Sequence, residues 1–205
     1  MNKSKWNGVL FGIVIGISLC TRVQPTYAQV HTIYNTKMPS VIRVAVRENN
    51  DPRGRILWVQ TLGFQEYCED VLPNEWMPSW ERESLRAGAM AIKMFGWFHS
   101  MHPVTIDGQT FDVDNTVNFQ EFKYKSGTFE TNQAIRELWP YAYTSSSGEI
   151  IELDYRAGIP RNPNWEYRGA DRMAQWGSQY WAARRRTYLS ILQFYYTDLG
   201  LNRIP

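Results

Sequence analysis

Cysteine and histidine are scarce in this chain, with two and three copies among 205 residues. Cys20 lies in an N-terminal targeting signal, so Cys68 is the single cysteine of the mature chain and an intramolecular disulfide is excluded there. Cys68, His99 and His102 together would lack a fourth zinc ligand. We therefore expect no metal ion and no other cofactor, and we expect Cys68 to be a buried thiol in a helix.

A hydrophobic run long enough to span a bilayer comfortably is also missing. The apolar run at 9–19 is short, follows Lys3 and Lys5, and precedes an A-x-A-like site that ends at Ala28. We therefore expect a signal peptide at residues 1–28, cleaved after Ala28, and export to the cell envelope or the extracellular space. The alternative is that the same run stays uncleaved as a membrane anchor.

The chain has only a small excess of positive charge. It carries 22 lysines and arginines against 20 aspartates and glutamates, and removal of residues 1–28 takes away three basic residues, which leaves 19 against 20. Without a basic surplus, nucleic-acid binding loses its support. Because no internal repeat or low-complexity tract is visible, we expect a linker at 29–40 and one domain at 41–205. An aromatic content of 15% is typical of proteins that line a groove with rings.

The first half of the domain predicts a strand pair and a short helix. Residues 41–47 alternate apolar and charged side chains after Ile42, which indicates a half-buried strand. Turn residues at 49–54 and an apolar stretch at 56–62 predict the second strand of a hairpin. Residues 64–71 then predict a short helix.

A long apolar helix follows, and Ser79 is a fair N-cap for it. Glu81 and Glu83 place negative charge in its first turn, where the helix dipole favours it. Apolar residues recur on two stripes at i, i+4 and i+7, which indicates a helix that is buried over much of its circumference. Arg86 and Lys93 interrupt this apolar surface, and such charges by default mark the solvent side.

Shorter elements make up the second half. The patterns predict strands or extended loops at 103–107 and 109–113, a helix at 131–138 with Thr131 as N-cap, a hairpin of 141–144 with 149–155 around three serines, a helix through 184–186 and a last helix at 188–196. The three serines are expected to form a turn, since no histidine pairs with them in the sequence. The fold class that we expect is α+β: a buried central helix packed on antiparallel strands, with a substrate groove.

Glu75 is the candidate for a functional carboxylate. It lies in a segment with the turn-forming residues Pro73 and Asn74, is flanked by Trp76 and Trp80, and precedes the long apolar helix. An acid at the start of a rigid element is held in a fixed position. The competing interpretation is a solvated loop carboxylate beside two tryptophans that belong to the core.

This stretch resembles the SpoIID/LytB domain family, the peptidoglycan-acting group that includes stage II sporulation protein D and the amidase enhancers. The matching residues are Tyr67, Val71, Pro73, Asn74, Glu75, Trp80, Glu83, Leu85, Arg86, Ala87, Ala89, Ala91 and Lys93. Two departures are local: Gly88 replaces a glutamine that the family usually has, and the proline after the acid comes one position late, at Pro78. The resemblance extends from about residue 41 to the end of the chain.

A second block resembles the family pattern Asp-x-x-Asp-x-Thr-x-x-Gln-x-Tyr. Asp112, Thr116 and Gln120 match it, Asp114 lies in a neighbouring register, and Phe122 stands in place of the tyrosine. In the family this block lies beside the acid and lines the cleft. Without the resemblance, the two aspartates are carboxylates in a polar loop, where a structural hydrogen-bonding role is the more common one.

The late family motif GHGxGMSQWG is partly retained. The survivors are Met173, Gln175, Trp176 and Gly177. Gly169 stands where the motif has its histidine, and Arg156 with Ala157 and Gly158 stands where the family has a serine or cysteine followed by two glycines. The polar role of that imidazole is therefore lost in this chain.

The resemblance implies lytic cleavage of peptidoglycan glycan strands between N-acetylmuramic acid and N-acetylglucosamine, with a 1,6-anhydro product and a role in cell-wall remodelling or sporulation. Glu75 would act as general acid and then base. The implied substrate contacts are Trp76, Trp80, Arg86, Lys93, Asp112, Gln120 and Gln175. For Arg86 and Lys93 the choice stays open between the solvent side of the helix and contact with an anionic glycan. A cell-wall amidase or an envelope complex is an implied partner.

The departures keep two other functions open. The chain could be a non-catalytic peptidoglycan-binding or amidase-enhancing protein that keeps the groove without the chemistry, which the loss of the late histidine favours. It could also be a purely structural exported protein. Retention of Glu75 favours catalysis.

Overall fold

The computed structural model describes residues 37–204, so the predicted signal peptide and most of the predicted linker lie outside the described residues. Two single turns of 3-10 helix cover Glu48–Asn50 and Trp165–Tyr167. The helices and strands are β1 (Val41–Arg47), β2 (Ile56–Gly63), α1 (Phe64–Glu75), α2 (Arg82–Met101), β3 (Val104–Ile106), β4 (Gln109–Phe111), β5 (Val113–Asp114), α3 (Phe129–Leu138), β6 (Tyr141–Ser145), β7 (Asp154–Arg156), β8 (Arg172–Ala174), α4 (Gln175–Ala182), α5 (Tyr188–Tyr195) and β9 (Leu199–Arg203).

The predicted N-terminal hairpin is confirmed. β1 and β2 pair antiparallel, with Val44 opposite Gln60, and Ile42 and Val44 point into the core. β5 adds to the other side of β1 in parallel, with Val113 opposite Val44. β1 is therefore the middle strand of a three-stranded sheet.

Helix α2 is the buried central helix that the sequence predicts, and the α+β fold class is confirmed. Its buried positions run on every side of the helix from Ser84 to Trp97, and α1, α3, α4 and α5 all pack against it. It begins at Arg82 and its N-cap is Glu81 rather than Ser79. Ser79 lies in a turn in which Trp80 N donates to Met77 O, so the chain becomes helical only afterwards.

Helix α1 is longer than predicted and carries Glu75 as its last residue. The expectation of a turn at Pro73 is therefore wrong. Proline removes one backbone donor from a helix, but here the Asn74 side chain donates to Asp70 O and Trp76 N closes the last turn on Leu72 O. The acid thus sits at the end of a helix instead of in a loop.

The predicted hairpin of 141–144 with 149–155 does not form. β6 pairs antiparallel with β9 at the end of the chain, and β7 pairs in parallel with β8. The serines between them do form a turn, in which Gly148 N donates to Ser145 O. These pairings depend on contacts between distant parts of the chain, which local patterns do not report.

Two helix boundaries also differ from prediction. The N-cap of α3 lies three residues earlier than expected, because Thr128 is the N-cap and Thr131 is its reciprocal partner in a capping box. Arg184 to Arg186 follow α4 in a tight turn with Arg185 at φ 62°, so the helix predicted there is wrong.

Between residues 37 and 204, every helix is too short or too polar to cross a lipid bilayer.

Candidate functional site

Glu75 is held at the end of α1 by two other segments. Its Oε1 accepts a hydrogen bond from the backbone N–H of Glu121 at 2.7 Å, and its Oε2 accepts one from Gln175 Nε2 at 3.0 Å. Gln175 Nε2 also donates to the Glu75 carbonyl at 2.8 Å. The acid is half-buried, so it is positioned by the protein and still partly open to solvent.

The surroundings of Glu75 favour the protonated acid. Burial raises the pKa of the Glu75 carboxyl above its ordinary value, and the nearby Glu121 charge raises it further. The hydrogen bonds from Glu121 N–H and Gln175 oppose this rise, because they stabilise the carboxylate. Burial is the largest of these effects, so Glu75 keeps its proton to higher pH than an exposed glutamate does.

The backbone of Glu121 is fixed in position because its loop is bound along α1. Asp70 on α1 accepts hydrogen bonds from Lys125 N at 2.8 Å and Gly127 N at 3.1 Å. Asn74 donates to Ser126 Oγ at 2.9 Å. The loop is thus attached to the same helix that carries the acid.

Trp76 does not lie where a sugar could reach it. Its side chain is 0% exposed, its Nε1 donates to Ser178 Oγ at 3.0 Å, and its ring meets the Tyr155 ring edge-on at 5.0 Å. The ring also lies on Gly88 of α2. The structure therefore corrects the prediction that Trp76 stacks on substrate: it is a core residue that joins α1, α2 and α4.

Trp80 is half-buried and pairs with Trp176, with ring centroids 4.7 Å apart. A cavity of about 150 Å³ borders Trp80 on the side of Leu85 and Ala134. Trp176 was not among the predicted contacts, although its position beside Gln175 in the late motif is a signal that could have identified it. The two indoles form the partly exposed aromatic surface on the segments that flank Glu75.

Gln120 belongs to a buried hydrogen-bond chain. It is 0% exposed, its Oε1 accepts from Tyr67 OH at 2.8 Å, and its Nε2 donates to Tyr155 OH at 3.1 Å. Burial raises the pKa of the Tyr155 phenol, and the Glu75 charge raises it further. Gln120 therefore supports the site from inside, which corrects its predicted contact with substrate.

Asp112 is also internal, at 3% exposure. Its carboxylate accepts from Arg43 N at 2.7 Å and forms a salt bridge to the Arg43 guanidinium at 2.5 Å. Asp114 accepts a hydrogen bond from the Arg47 guanidinium at 2.6 Å, and Arg47 N donates to the neighbouring Asn115. Both aspartates fix β5 to β1, so Asp112 has the structural role and not the predicted contact with substrate.

Lys93 is 1% exposed and has neither of its two expected roles. Its Nζ donates to the carbonyl oxygens of Leu138, Trp139 and Tyr141, so it caps the carboxyl end of α3 from within the core. Burial lowers the pKa of Lys93 to about 7. Hydrogen bonds from the ammonium to carbonyl oxygens favour the charged form of a lysine. A side chain with these contacts does not reach a ligand.

Arg86 is half-buried and paired with acidic side chains. Its guanidinium is 2.9 Å from Glu83 Oε1 and 3.4 Å from Glu137 Oε2, and it lies over the Tyr188 ring at 4.1 Å. These contacts engage the guanidinium within the protein. They give no support to a contact with an anionic glycan.

Cys68, His99 and His102 have different surroundings. Cys68 is buried, and burial raises the pKa of its thiol. His99 Nε2 lies 3.1 Å from Glu152 Oε1, and His102 Nδ1 lies 2.8 Å from the Phe98 carbonyl. Within residues 37–204, no group of three or more His, Cys, Asp or Glu side chains is placed to hold a metal ion.

Gly169 has a backbone conformation that suits glycine. It lies at φ 61°, and its N–H donates to the Phe194 carbonyl at 3.0 Å. A Cβ there would meet Thr197 Cγ2 at 3.3 Å. A histidine at this position would be strained in the left-handed region, so the loss of the motif's imidazole agrees with the local backbone.

Comparison with known proteins gives a family. The profile of the SpoIID family, described as stage II sporulation protein, matches residues 52–152. That range includes Glu75 and Gln120 and ends before Gln175. An uncharacterized protein of Brachyspira hyodysenteriae is 34% identical over 100 residues, which cover 48% of this chain and 26% of the relative. The chain therefore spans about a quarter of that relative's length.

Proposed function

We propose that this chain, a member of the SpoIID family through residues 52–152, cleaves the glycan strands of peptidoglycan. Membership of the family implies a role in the cell wall or in sporulation. The bond cleaved is that between N-acetylmuramic acid and N-acetylglucosamine. The reaction is a lytic transglycosylation that leaves a 1,6-anhydromuramic end. We further propose that the chain acts after export, in the cell envelope or outside the cell, where an amidase or an envelope complex is a suitable partner.

In the proposed reaction, Glu75 transfers a proton twice. The protonated carboxyl first gives its proton to the glycosidic oxygen while the bond from that oxygen to the anomeric carbon breaks. The carboxylate then takes the proton of the muramic 6-hydroxyl while this oxygen bonds to the same anomeric carbon. No water is consumed, so the paired carboxylates of ordinary glycoside hydrolysis are not needed.

The observation that carries the proposal is the state of Glu75. A general acid must hold its proton near working pH, and burial raises the pKa of this carboxyl in that direction. Its two oxygens are fixed by Glu121 N–H and Gln175. An acid that is both fixed and partly exposed is suited to protonate a bound sugar.

Trp80 and Trp176 are proposed as the sugar-facing surface. Their paired indoles are half-buried on the two segments next to Glu75. Indole faces pack well against the C–H faces of sugar rings because they are apolar, flat and rigid. Gln175 would hold the acid, not the sugar, because its amide is committed to Glu75.

The test is digestion of purified sacculi, with and without stem peptides, by the full chain, by Glu75→Gln and by Glu66→Gln. Glu66 is an exposed carboxylate on the same helix and serves as the matched control. Wild type and Glu66→Gln are expected to release anhydro products detectable by mass spectrometry, and Glu75→Gln is expected to release none. Equal release by Glu75→Gln would refute the role of the acid.

A second function is favoured by one observation, the left-handed Gly169 in place of the motif's histidine. A chain that has lost this imidazole could bind the wall and stimulate an amidase without cutting glycan. Co-sedimentation with sacculi by wild type and Glu75→Gln alike, with no anhydro product from either, would favour this function.

A further inference from the structure

A separate cavity of about 340 Å³ lies between the Trp165–Tyr167 turn and helices α4 and α5. This volume lies within the range of small-molecule sites, which begins at about 300 Å³. Neither Glu75 nor its hydrogen-bond partners Glu121 and Gln175 line this cavity, and none of its lining residues was a predicted site residue. The cavity therefore needs an explanation of its own.

Three aromatic side chains form one side of the cavity. Trp165 packs edge-on against Trp181, with centroids 5.5 Å apart, and against Phe194 at 5.4 Å. Trp165 is nevertheless 56% exposed. Large apolar side chains left open in a concave surface mark binding sites more often than core defects.

The loop that carries Trp165 is rigid. Asn164, which precedes it, is 0% exposed and lies in the left-handed region at φ 53°. Its Oδ1 accepts from Ile159 N at 2.7 Å, and its Nδ2 donates to Asn162 O at 2.8 Å. A buried side chain with both ends bonded fixes the loop, so Trp165 is presented to solvent without help from a ligand.

Two arginines, Arg168 and Arg186, line the same cavity. Both are exposed, and neither has a carboxylate within 4.0 Å or a side-chain hydrogen bond anywhere in the part of the chain that the structure describes. Guanidinium groups bind carboxylates with two parallel hydrogen bonds. The arginines thus provide unpaired positive charge next to an aromatic wall.

We propose that this cavity binds a carboxylate-bearing amino sugar, namely a muramic acid unit of the glycan strand, at a site that Glu75 does not line. The inference rests on the proposed function for its choice of ligand. The sugar ring packs on Trp165, and its carboxylate bonds to Arg168 and Arg186. Ser190 and Gln193 in the lining supply partners for hydroxyl and acetamido groups.

The carboxylate can come from two sources on a glycan strand. Strands without stem peptides expose the lactyl carboxylate on every muramic unit, whereas intact strands carry carboxylates on the peptides. Because the two arginines and the aromatic wall line one small cavity, a carboxylate close to the ring fits better. We therefore expect peptide-free strands to bind more tightly than intact ones.

Calorimetric titration of the full chain with N-acetylmuramic acid and with N-acetylglucosamine tests the proposal, since the two sugars differ by the lactyl group that carries the carboxylate. Wild type is expected to prefer N-acetylmuramic acid. Double substitution Arg168→Gln with Arg186→Gln is expected to remove that preference, with a loss of about tenfold in affinity for N-acetylmuramic acid for each charge-assisted contact removed. Trp165→Ala is expected to weaken binding of both sugars.

Arg185→Gln is the matched control, because Arg185 lies in the same turn as Arg186 and does not line the cavity. It is expected to bind like wild type. Equal affinities for the two sugars in wild type, or unchanged preference in the double variant, would overturn the proposal. Titrations in the Glu75→Gln background measure binding without turnover, and digestion is measured separately with the wild-type chain. Binding by the variant with no digestion by wild type rejects the proposed function alone, and digestion by wild type with no binding by the variant rejects this inference alone.

Discussion

The indole of Trp76 lies directly on Gly88 of the central helix. A Cβ built at Gly88 would lie 2.5 Å from Trp76 Cδ2 and 2.7 Å from Cε2, closer than real Cβ contacts. Gly88 is therefore the position where α2 makes room for the residue that follows the acid. The glutamine that the family usually has there would not fit against this indole.

Gly88→Ala is expected to lower the free energy of unfolding by about 1–3 kcal/mol, because the ring must shift in a filled core. Without the clash, the same change inside a helix would stabilise the protein by about 1 kcal/mol. The sign of the measured change therefore shows whether the Trp76 ring leaves room for a Cβ at Gly88. Gly200→Ala, where a Cβ meets nothing within 4 Å, is the control. Urea denaturation measures both, and a stabilised Gly88→Ala would contradict the packing described.

Trp76 and Trp80 are expected to respond differently to substitution. Trp76→Phe loses the bond to Ser178 and part of a filled volume, so we expect about 1–3 kcal/mol less stability. Trp80→Ala is expected to keep most stability and to bind peptide-free strands more weakly, about tenfold for a contact of about 1.4 kcal/mol. Urea denaturation and co-sedimentation with peptide-free strands are measured on both variants. A loss of binding without a loss of stability in Trp76→Phe, together with the opposite result in Trp80→Ala, would refute the placement of Trp76 in the core and of Trp80 at the sugar.

Lys93→Met is expected to destabilise the protein by about 1–3 kcal/mol, because the methionine leaves buried carbonyl oxygens at the end of α3 without a donor. Lys123→Met, at an exposed position, is the control and is expected to change little. Thermal and urea unfolding measure the difference. If Lys93→Met instead bound glycan more weakly at unchanged stability, the groove interpretation of Lys93 would be restored.

Local periodicity predicted the parts of the fold whose partners are near in sequence. The alternation at Val41–Arg47 correctly predicted β1, and the turn residues that follow it correctly predicted β2 as its antiparallel partner. The two apolar stripes gave a central helix that is buried all round. The family match likewise supports the resemblance that the motif around Glu75 indicated.

What the sequence could not supply was the direction in which single side chains point. Trp76 and Trp80 are the same residue type four positions apart in a segment without a period, and one is in the core while the other is half-buried. Lys93 was expected at a surface because a buried ammonium is costly. The carbonyl oxygens that offset this cost lie at the end of another helix, more than forty residues on.

Glu75→Gln is expected to change how stability depends on pH. Burial raises the pKa of Glu75 in the folded protein, so between the ordinary glutamate pKa and the raised folded pKa the folded state binds more protons than the unfolded state. The free energy of unfolding of the wild type therefore falls relative to that of Glu75→Gln as pH rises through the raised folded pKa. Below the unfolded pKa, the gap between the two free energies does not change with pH. Urea denaturation at pH 4 and at pH 7.5 measures it, and parallel behaviour of the two proteins would exclude the raised pKa.

Gln175→Leu is expected to shift the pH dependence of strand cleavage. The hydrogen bond from Gln175 stabilises the Glu75 carboxylate, so its removal raises the pKa of the acid further. The alkaline limb of kcat/KM on peptide-free strands should then move to higher pH, even where the maximum rate falls because the acid is less well held. Gln179→Leu on the same helix, whose Oε1 accepts from Glu81 N, is the control. A lower rate with an unmoved alkaline limb would mean that Gln175 only supports the packing of α4 against α1.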